Sequence, residues 1–149
     1  MECPFCGFEK TDVADSRATY AGSQVWRRRR CLGCKKIFTT YEKALINFMK
    51  IQKKNGKVER YSRAKVYTGI YGAYLRVPAK ENVVDRLTDQ VEARLLKMHK
   101  KIVSSQVVAD IVLPLLRSTD TAAFVRYLTR QRNITNEDQL LRELESFRK

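Results

Sequence analysis

Two short motifs decide the fold: CPFC at residues 3–6 and CLGC at residues 31–34. The chain has four cysteines, and these motifs contain all of them. Two thiolates separated by two residues on a tight turn can reach one metal ion, and two such turns supply the four sulfurs that tetrahedral zinc prefers. The spacing therefore predicts a zinc ribbon over residues 1–42. One Zn²⁺ per chain is predicted, with the ligands Cys3, Cys6, Cys31 and Cys34.

Two disulfides, or two redox-active Cys-x-x-Cys motifs, are the alternative interpretations of the same cysteines. Disulfides need an oxidising compartment, and residues 1–20 contain no secretory signal. A thioredoxin-like motif opens a helix inside a larger α/β fold, for which residues 1–42 leave no room. We favour zinc. We also expect the metal to be needed for folding, because so short a segment buries little apolar surface.

The whole chain is short and strongly basic. It has 149 residues, with 30 Lys plus Arg against 16 Asp plus Glu and a formal net charge of +14. This balance favours polyanions as partners: nucleic acid, nucleotides or an anionic membrane surface. There is no apolar run long enough to span a membrane. The 44% hydrophobic content allows one domain of about 100 residues beside the metal module.

Four consecutive arginines, residues 27–30, precede the second cysteine motif. Residues 15–30 are typical of an antiparallel ribbon, and on a strand these arginines alternate between two faces. A solvated basic edge that discourages aggregation is one interpretation. Phosphate contact is the interpretation that we favour, with hydroxyls that follow the second motif as further donors. The residues predicted to contact the phosphates of a nucleic acid are Arg17, Arg27, Arg28, Arg29, Arg30, Lys36, Thr39 and Thr40.

Residues 47–61 predict a β-hairpin. Asn55-Gly56 predicts a type I′ turn, because these residue types tolerate positive φ at both central positions. Lysines cluster around this turn. They are interpreted either as a water-facing charged turn or as cations held for a triphosphate.

Apolar residues at helical spacing predict five helices after the hairpin. The first begins after Ser62 and runs to about Leu75, before Pro78, and the second covers residues 81–98. The third is capped by Ser104 or Ser105, and Pro114 predicts a kink or an early stop in it. The fourth begins at Thr119 or Asp120. A capping box formed by Asn136 and Gln139 opens the last helix.

The sequence contains no catalytic constellation. The lone histidine, His99, lies among lysines at a predicted helix end, which the helix dipole favours. There is no Gly-rich phosphate loop of the Walker type, and the zinc site leaves no cysteine as a nucleophile. We therefore predict that the protein is not an enzyme.

Several motifs together resemble the NrdR family, bacterial repressors of ribonucleotide reductase genes. They are CPFC, Asp15-Ser16-Arg17, an arginine run before CLGC, and Phe38-Thr39-Thr40-Tyr41-Glu42. Family members join a zinc ribbon to an ATP-cone, a small domain that binds ATP and dATP. The resemblance continues through residues 51–56, 59–65 and 120–127. The departures are Lys54 and Asn55 for the family's Arg and Asp, Phe124 for a tyrosine, and residues 128–132 for an aromatic-rich continuation.

The resemblance implies an α+β protein with two domains. Residues 1–45 are expected to form a small zinc-ribbon DNA-binding domain. Residues 46–149 are expected to form a mostly helical ATP-cone with a β-hairpin, which binds nucleotides and mediates oligomerisation. ATP and dATP are the implied effectors, with Mg²⁺, and the lysines are expected to hold the phosphates. The implied nucleotide-binding residues are Ile51, Lys53, Lys54, Asn55, Glu59 and Lys65.

The favoured function is a zinc-dependent repressor that responds to ATP and dATP and binds operator DNA of ribonucleotide reductase genes. The nucleotide is expected to change the size of a homo-oligomer. Residues 120–149 are expected to form the contacts, through an apolar patch of Phe124, Tyr127 and Leu128. A cytoplasmic, nucleoid-associated protein without membrane contact is expected. The alternatives are a zinc-ribbon nucleic-acid-binding adaptor with a degenerate, non-sensing cone, and a nucleotide-hydrolysing enzyme.

Overall fold

The computed structural model describes residues 1–74 and 81–147. The chain divides into two compact units, Met1–Leu45 and Ile46–Lys149. In the described residues, the first unit contains a three-stranded sheet, and the second contains another three-stranded sheet with five α-helices. This is the α+β class that the sequence predicts. No helix in the described part of the chain is long and apolar enough to cross a membrane.

The sheet of the first unit is antiparallel, and its strand order is β1-β2-β3. Its strands are β1 (Thr11–Thr19), β2 (Gln24–Cys31) and β3 (Ile37–Lys43). The arginine run lies on β2, the central strand, which is hydrogen-bonded on both sides. The alternative interpretation of these arginines as protection of a sheet edge is therefore wrong, because this strand has no free edge.

The first unit has almost no hydrophobic core. Among its described residues, only Cys3, Gln24 and Cys31 are buried. Burial of one large apolar side chain stabilises a fold by about 1.5–3 kcal/mol, and this unit has no such contribution. The two buried cysteines are therefore its structural centre.

The sheet of the second unit is small and mixed. It consists of β4 (Lys50–Gln52), β5 (Val58–Arg60) and β6 (Ile102–Ser104) in the order β5-β4-β6. Strand β4 pairs antiparallel with β5 and parallel with β6. The hairpin was predicted from sequence and β6 was not. Three residues are too few to display an alternating pattern, and the partner of β6 lies far away along the chain.

The hairpin turn differs from the predicted type. In this loop only Gly56 has a positive φ, of 81°. The N–H of Gly56 donates to the carbonyl of Lys53 at 2.9 Å, and the N–H of Lys53 donates to the carbonyl of Lys57 at 2.8 Å. This is a three-residue loop in which a turn is followed by a left-handed glycine. The side chain of Asn55 accepts from the N–H of Lys57 at 3.1 Å, which holds the loop without a positive φ at Asn55.

Five α-helices complete the second unit: α1 (Arg63–Tyr71), α2 (Glu81–Lys97), α3 (Ser105–Thr119), α4 (Thr121–Arg132) and α5 (Glu137–Ser146). The predicted caps Ser104, Asp120 and Asn136 each accept from a backbone N–H in the first turn. Ser62 occupies the cap position of α1 without a side-chain cap bond. The predicted end of that helix, Leu75 and Pro78, lies outside the described residues.

Pro114 does not end α3, so the predicted early stop is wrong. The helix continues to Thr119, and Pro114 lies on its exposed face. A proline inside a helix costs about 3 kcal/mol. The neighbouring side chains of Val112, Leu113, Leu115 and Leu116 are buried, and each contributes about 1.5–3 kcal/mol, so their packing outweighs the lost hydrogen bond.

The hydrophobic core lies in the second unit, between the helices and the small sheet. Its largest fully buried side chains include Met49, Ile70, Leu95, Leu113 and Leu116. The side chains of Phe124, Tyr127 and Leu128 belong to the same core, with exposed fractions of 3%, 5% and 0%. The predicted apolar patch for contacts between cones is therefore wrong, because these three side chains pack inside their own chain.

Candidate metal centre, arginine face and nucleotide cleft

The four cysteines form one cluster. Their Sγ atoms all lie within 4.8 Å of one another, and none is in a disulfide. The Sγ atoms of Cys3 and Cys34 are 3.7 Å apart, as are those of Cys6 and Cys31. Four sulfurs at the usual Zn–S distance in a tetrahedron are about 3.8 Å apart. The donor set and spacing therefore fit zinc, and they argue against the disulfide interpretation.

Two similar turns hold these sulfurs. In the first, the N–H of Phe5 donates to the Sγ of Cys3 at 3.4 Å, and Gly7 has a φ of 70°. In the second, the N–H of Cys34 donates to the Sγ of Cys31 at 3.4 Å, and Lys35 has a φ of 61°. N–H donors aimed at sulfur stabilise the thiolate form.

Gly33 serves close packing rather than turn geometry. A Cβ on this glycine would lie 3.0 Å from the Cγ of Phe8, so any side chain would displace that ring. The ring of Phe5 in the first motif is exposed, and the Nζ of Lys36 lies 5.0 Å from its centroid. Lys36 belongs to the segment between the second motif and β3, and not to the sheet itself.

The electrostatics of the cluster favour a bound cation. Desolvation by burial raises the pKa of the Cys31 thiol. Hydrogen bonds from the N–H groups of Cys34 and Gly33 and from the neighbouring thiols outweigh this effect, and the net result is a pKa lowered to about 7. An N–H from Lys36 lowers the pKa of the Cys34 thiol, but burial and the crowding of three other sulfurs outweigh it and raise this pKa to about 11. Four thiolates this close repel one another, and a divalent cation removes that penalty.

The arginine run divides between the two faces of the first sheet. The side chains of Arg27 and Arg29 are half-buried and engaged: Arg27 pairs with Glu42 at 2.6 Å, and the Nε of Arg29 donates to the hydroxyl of Thr40 at 3.2 Å. Arg28 and Arg30 are exposed, and neither has an ion pair or side-chain hydrogen bond to another described residue. The two faces thus differ in the availability of their guanidinium groups.

Further polar and aromatic groups share the face of Arg28. Its cross-strand neighbours are Asp15 and Thr39. Arg17, on the same face, pairs with Asp15 at 2.8 Å, and its guanidinium lies 5.8 Å from the ring centroid of Trp26. We call the set Arg17, Arg28, Arg30 and Thr39 the open arginine face. Of the eight predicted DNA-contacting residues, four therefore share this face, Arg27, Arg29 and Thr40 lie on the opposite face, and Lys36 lies off the sheet.

A cleft in the second unit joins basic and apolar side chains. It lies between the hairpin, α1, the start of α3 and the end of α4. Four of the six predicted nucleotide-binding residues line it: Ile51, Lys53, Glu59 and Lys65. The remaining lining residues are Tyr61, Ser62, Val66, Gly69, Ser105, Val108, Tyr127 and Gln131. A larger hollow between α4 and α5 has no lysine among its lining residues, and its Arg132 is ion-paired with Asp110 and Glu143.

Glu59 connects the two lysines of the cleft. Its carboxylate lies 2.8 Å from the Nζ of Lys65 and 3.1 Å from the Nζ of Lys53. The hydrogen bonds from Lys65 and Lys53 lower the pKa of this carboxyl below its usual value. Both ammonium groups are therefore held at the mouth of one site, with a net charge of +1 for the three residues.

The structure does not bring Lys54 and Asn55 into this cleft. The Nζ of Lys54 donates to the backbone carbonyl of Gln131 at the end of α4, at 2.8 Å. Lys54 lines a neighbouring hollow that it shares with Lys53, Ser104 and Ser105. The side chain of Asn55 stabilises the turn, as described above. The family motif alone could not separate these roles, because Lys53, Lys54 and Asn55 follow one another in the turn and only the position of α4 determines which of them it contacts.

Tyr61 is a cleft residue that sequence reasoning did not assign to the site. Its hydroxyl donates to the carboxylate of Glu92 at 3.1 Å. Arg63 forms ion pairs with the same carboxylate at 2.6 Å and with Asp89 at 2.8 Å. Burial, together with the negative charge of Glu92, raises the pKa of Tyr61 well above its usual value. The phenol therefore remains a donor, and the hydrogen bond fixes this wall of the cleft. Its place in the sequence between Glu59 and Lys65, two predicted site residues, was the available signal.

Both units match known family models. Residues 1–42 match the model described as "Transcriptional repressor NrdR-like, N-terminal domain", and residues 49–137 match the "ATP cone domain". Relatives named "Transcriptional repressor NrdR" cover almost the whole chain. The one from Chloroflexus aurantiacus is 36% identical over 140 residues, covering 94% of this chain and 84% of its own length. The one from Dechloromonas aromatica is 37% identical over 144 residues, covering 97% and 94%.

A third relative of the same name, from Pelotomaculum thermopropionicum, is 34% identical over 147 residues, covering 99% of this chain and 89% of its own length. The fold and these matches define the class: a zinc ribbon joined to an ATP-cone. The chain belongs to the NrdR family of transcriptional repressors. The relatives are named for a regulatory, non-enzymatic role, which agrees with the prediction that this protein is not an enzyme.

Proposed function

We propose that this protein is a zinc-dependent transcriptional repressor that binds operator DNA of ribonucleotide reductase genes and responds to ATP and dATP. The observation that carries the proposal is the presence, in one chain, of an intact four-cysteine cluster beside an open arginine face and a separate lysine-lined cleft. The protein acts in the cytoplasm, in association with the nucleoid.

One Zn²⁺ per chain, bound by the four cysteines, organises the first unit. The physical argument is the absence of a hydrophobic core among the described residues of that unit. Without a cation, the four sulfurs at 3.7–4.8 Å repel one another, and little apolar packing opposes the opening of the turns. The zinc is therefore structural, and DNA binding depends on it.

The open arginine face is the DNA-binding surface of this unit. Arg28 and Arg30 project from the rigid central strand and are free of ion pairs within the described residues. Such guanidinium groups bind phosphate without first breaking an internal pair. Arg27 and Arg29 keep Glu42 and Thr40 as partners and stabilise the sheet.

Adenine nucleotides bind in the cleft, with Mg²⁺. Lys53 and Lys65 hold the phosphates, and the apolar side chains of Ile51, Val66 and Val108 pack against the base. Each charge-assisted contact contributes about 1.5–3 kcal/mol. The preserved cleft supports a sensor over the alternative of an adaptor with a degenerate cone.

The nucleotide controls repression by selecting one homo-oligomer. A single small module buries only about 600–1,000 Å² on DNA, so specificity requires several ribbons bound at a fixed spacing. A nucleotide that binds the DNA-competent oligomer more tightly shifts the population towards it. Among the described residues of α4 and α5, Leu141 is an exposed large apolar side chain that is available for such contacts.

Calorimetry with Lys53→Ala and Lys54→Ala tests the nucleotide site. Lys53→Ala is expected to weaken ATP and dATP binding by about tenfold or more, because it removes a phosphate contact. Lys54→Ala is the matched control, because it is the adjacent lysine and its ammonium group binds the end of α4. Unchanged affinities in Lys53→Ala would remove this lysine from the site. Identification of any nucleotide released from freshly purified protein separates the sensor from the adaptor.

A further inference from the structure

Helix α4 carries two arginines, one turn apart, that bind backbone carbonyls in the last turn of α1 and in the short 3-10 turn Gly72–Tyr74 that follows it. Arg126 donates to the carbonyl of Ala73 at 3.1 Å, and Arg130 donates to the carbonyl of Gly69 at 2.6 Å. The last carbonyls of a helix lack partners within the helix, so cationic donors there stabilise it. Arg130 thus binds the last turn of α1, and Arg126 makes a similar bond to the 3-10 turn that follows it.

Arg130 differs from Arg126 because it also contacts a wall of the cleft. Its guanidinium lies over the ring of Tyr127, 5.6 Å from the centroid. Both Tyr127 and Gly69 line the cleft, whereas Arg126 and Ala73 do not. Arg130 therefore ties the Tyr127 ring to α1 at a place where both border the proposed ligand.

Gly69 in α1 and Gly72 directly after it make room for this arrangement. A Cβ on Gly72 would lie 2.9 Å from the Nη1 of Arg130, and one on Gly69 would lie 3.8 Å from the Cε2 of Tyr127. Without side chains at these positions, the guanidinium lies directly against the helix. Gly69 is also one helical turn beyond Lys65, so the contact with Tyr127 lies about 5–6 Å along α1 from one of the two lysines that hold phosphate.

We infer that Arg130 is a positioning residue for nucleotide binding: it holds the Tyr127 ring against α1 so that the ring packs on the base or sugar of the nucleotide. The inference rests on the proposed nucleotide site and assigns a role within it. Arg130 acts through Tyr127 and does not contact phosphate.

The test compares two ligands on the full-length, zinc-loaded protein. Calorimetry measures ATP, which has base and sugar, and inorganic tripolyphosphate is measured as a competitor of ATP. Arg130→Ala is expected to weaken ATP binding by about five- to tenfold and to change tripolyphosphate binding less than twofold. Arg126→Ala is the matched control, which loses a similar arginine–carbonyl bond just after α1 and is expected to change neither affinity more than twofold. Arg130→Lys keeps a cation over the ring and is expected to recover at least half of the lost binding free energy.

Three results would overturn the inference: unchanged ATP affinity in Arg130→Ala, equal losses for ATP and tripolyphosphate, or equal losses in Arg126→Ala and Arg130→Ala. The last two would make Arg130 a general support of the fold, and the thermal midpoints of the two variants measure that effect separately. A wild-type protein that binds no ATP would overturn the proposed nucleotide site itself. A wild-type protein that binds ATP while Arg130→Ala gives one of these three results overturns only the role of Arg130.

Discussion

The Sγ atom of Cys6 lies 3.7 Å from the Sγ atom of Cys31, although 25 positions separate the two residues along the chain. The sulfur of Cys31 is buried at the end of the central strand, and Cys6 belongs to the turn at the start of the chain. Their proximity brings the N-terminal turn against the end of the central strand. In the described part of that unit, little apolar packing accompanies this contact. Under the proposed function, the bound metal ion is therefore the main source of stability for the unit.

Cys31→Ser is expected to remove both the zinc and operator binding. A serine hydroxyl is a poor replacement for a thiolate at a tetrahedral zinc site, and the three remaining cysteines do not complete the four-ligand set. Metal analysis of the purified protein is expected to give about one zinc per chain for the wild type and less than about 0.2 for the variant. Retention of one zinc by Cys31→Ser would refute the four-thiolate site. The double arginine variant described next is the control, because it is expected to keep its zinc.

Replacement of Arg28 and Arg30 together by alanine is expected to abolish operator binding at physiological salt, so that the remaining affinity is measurable only at low salt. These residues lie on the open arginine face, so each ribbon then neutralises two fewer phosphates. The slope of log affinity against log salt concentration is expected to flatten by about 0.9 for each phosphate that is no longer neutralised. Binding is measured by fluorescence anisotropy at several salt concentrations.

The matched control for that experiment is the double variant Arg27→Ala and Arg29→Ala. It removes the same charge from the same strand, but these side chains are held by Glu42 and Thr40 on the other face. The control is expected to lower stability and to leave the salt slope nearly unchanged. If both pairs have equal effects on the slope, binding depends on total charge and not on one face.

The ion pairs of Glu59 predict a specific pH dependence. Because Lys65 and Lys53 lower the pKa of Glu59 in the folded protein, this residue stabilises the fold above its unfolded-state pKa. That contribution is lost as the pH falls through the lower, folded-state pKa. Carbon-13 NMR is expected to give a Glu59 titration midpoint below that of an ordinary glutamate, and a higher midpoint in Lys65→Met. An unshifted midpoint in the wild type would contradict the bridging role of Glu59.

Pro114→Ala is expected to stabilise the second unit by about 1–3 kcal/mol. The helix already passes through this position, and alanine restores a backbone donor and a favourable helix propensity without filling new space. Urea unfolding measures the change. Ser118→Ala, further along the same helix, is the control and is expected to have a smaller effect. A loss of stability in Pro114→Ala would mean that the proline itself packs favourably in the native helix.

Local chemistry explains what the sequence could predict. The four-cysteine cluster, the caps at Ser104, Asp120 and Asn136, and the amphipathic stripe of α2 depend on residue types at fixed short spacings. Such patterns are visible without tertiary information. The early stop predicted at Pro114 was wrong because a local rule for proline omits the buried leucines of the same helix.

The remaining features depend on contacts between distant segments. Strand β6 exists because it pairs with β4, and three residues carry no periodic signal of their own. Lys54 and Lys53 are alike in sequence, and only the position of α4 determines that one binds Gln131 while the other lines the cleft. The same holds for Phe124, Tyr127 and Leu128: an apolar stripe does not reveal whether it packs within its own chain or against a second copy.

Coupling between the nucleotide and the DNA is the central claim, and one paired measurement tests it most directly. Light scattering gives the mass of the zinc-loaded protein without nucleotide, with ATP and with dATP, and operator affinity is measured in the same three samples. We expect the mass to change with the nucleotide, and the tightest operator binding to coincide with one oligomer, formed with dATP. If mass and operator affinity are both indifferent to the nucleotide, the cone is not a sensor in this protein and the adaptor alternative replaces it.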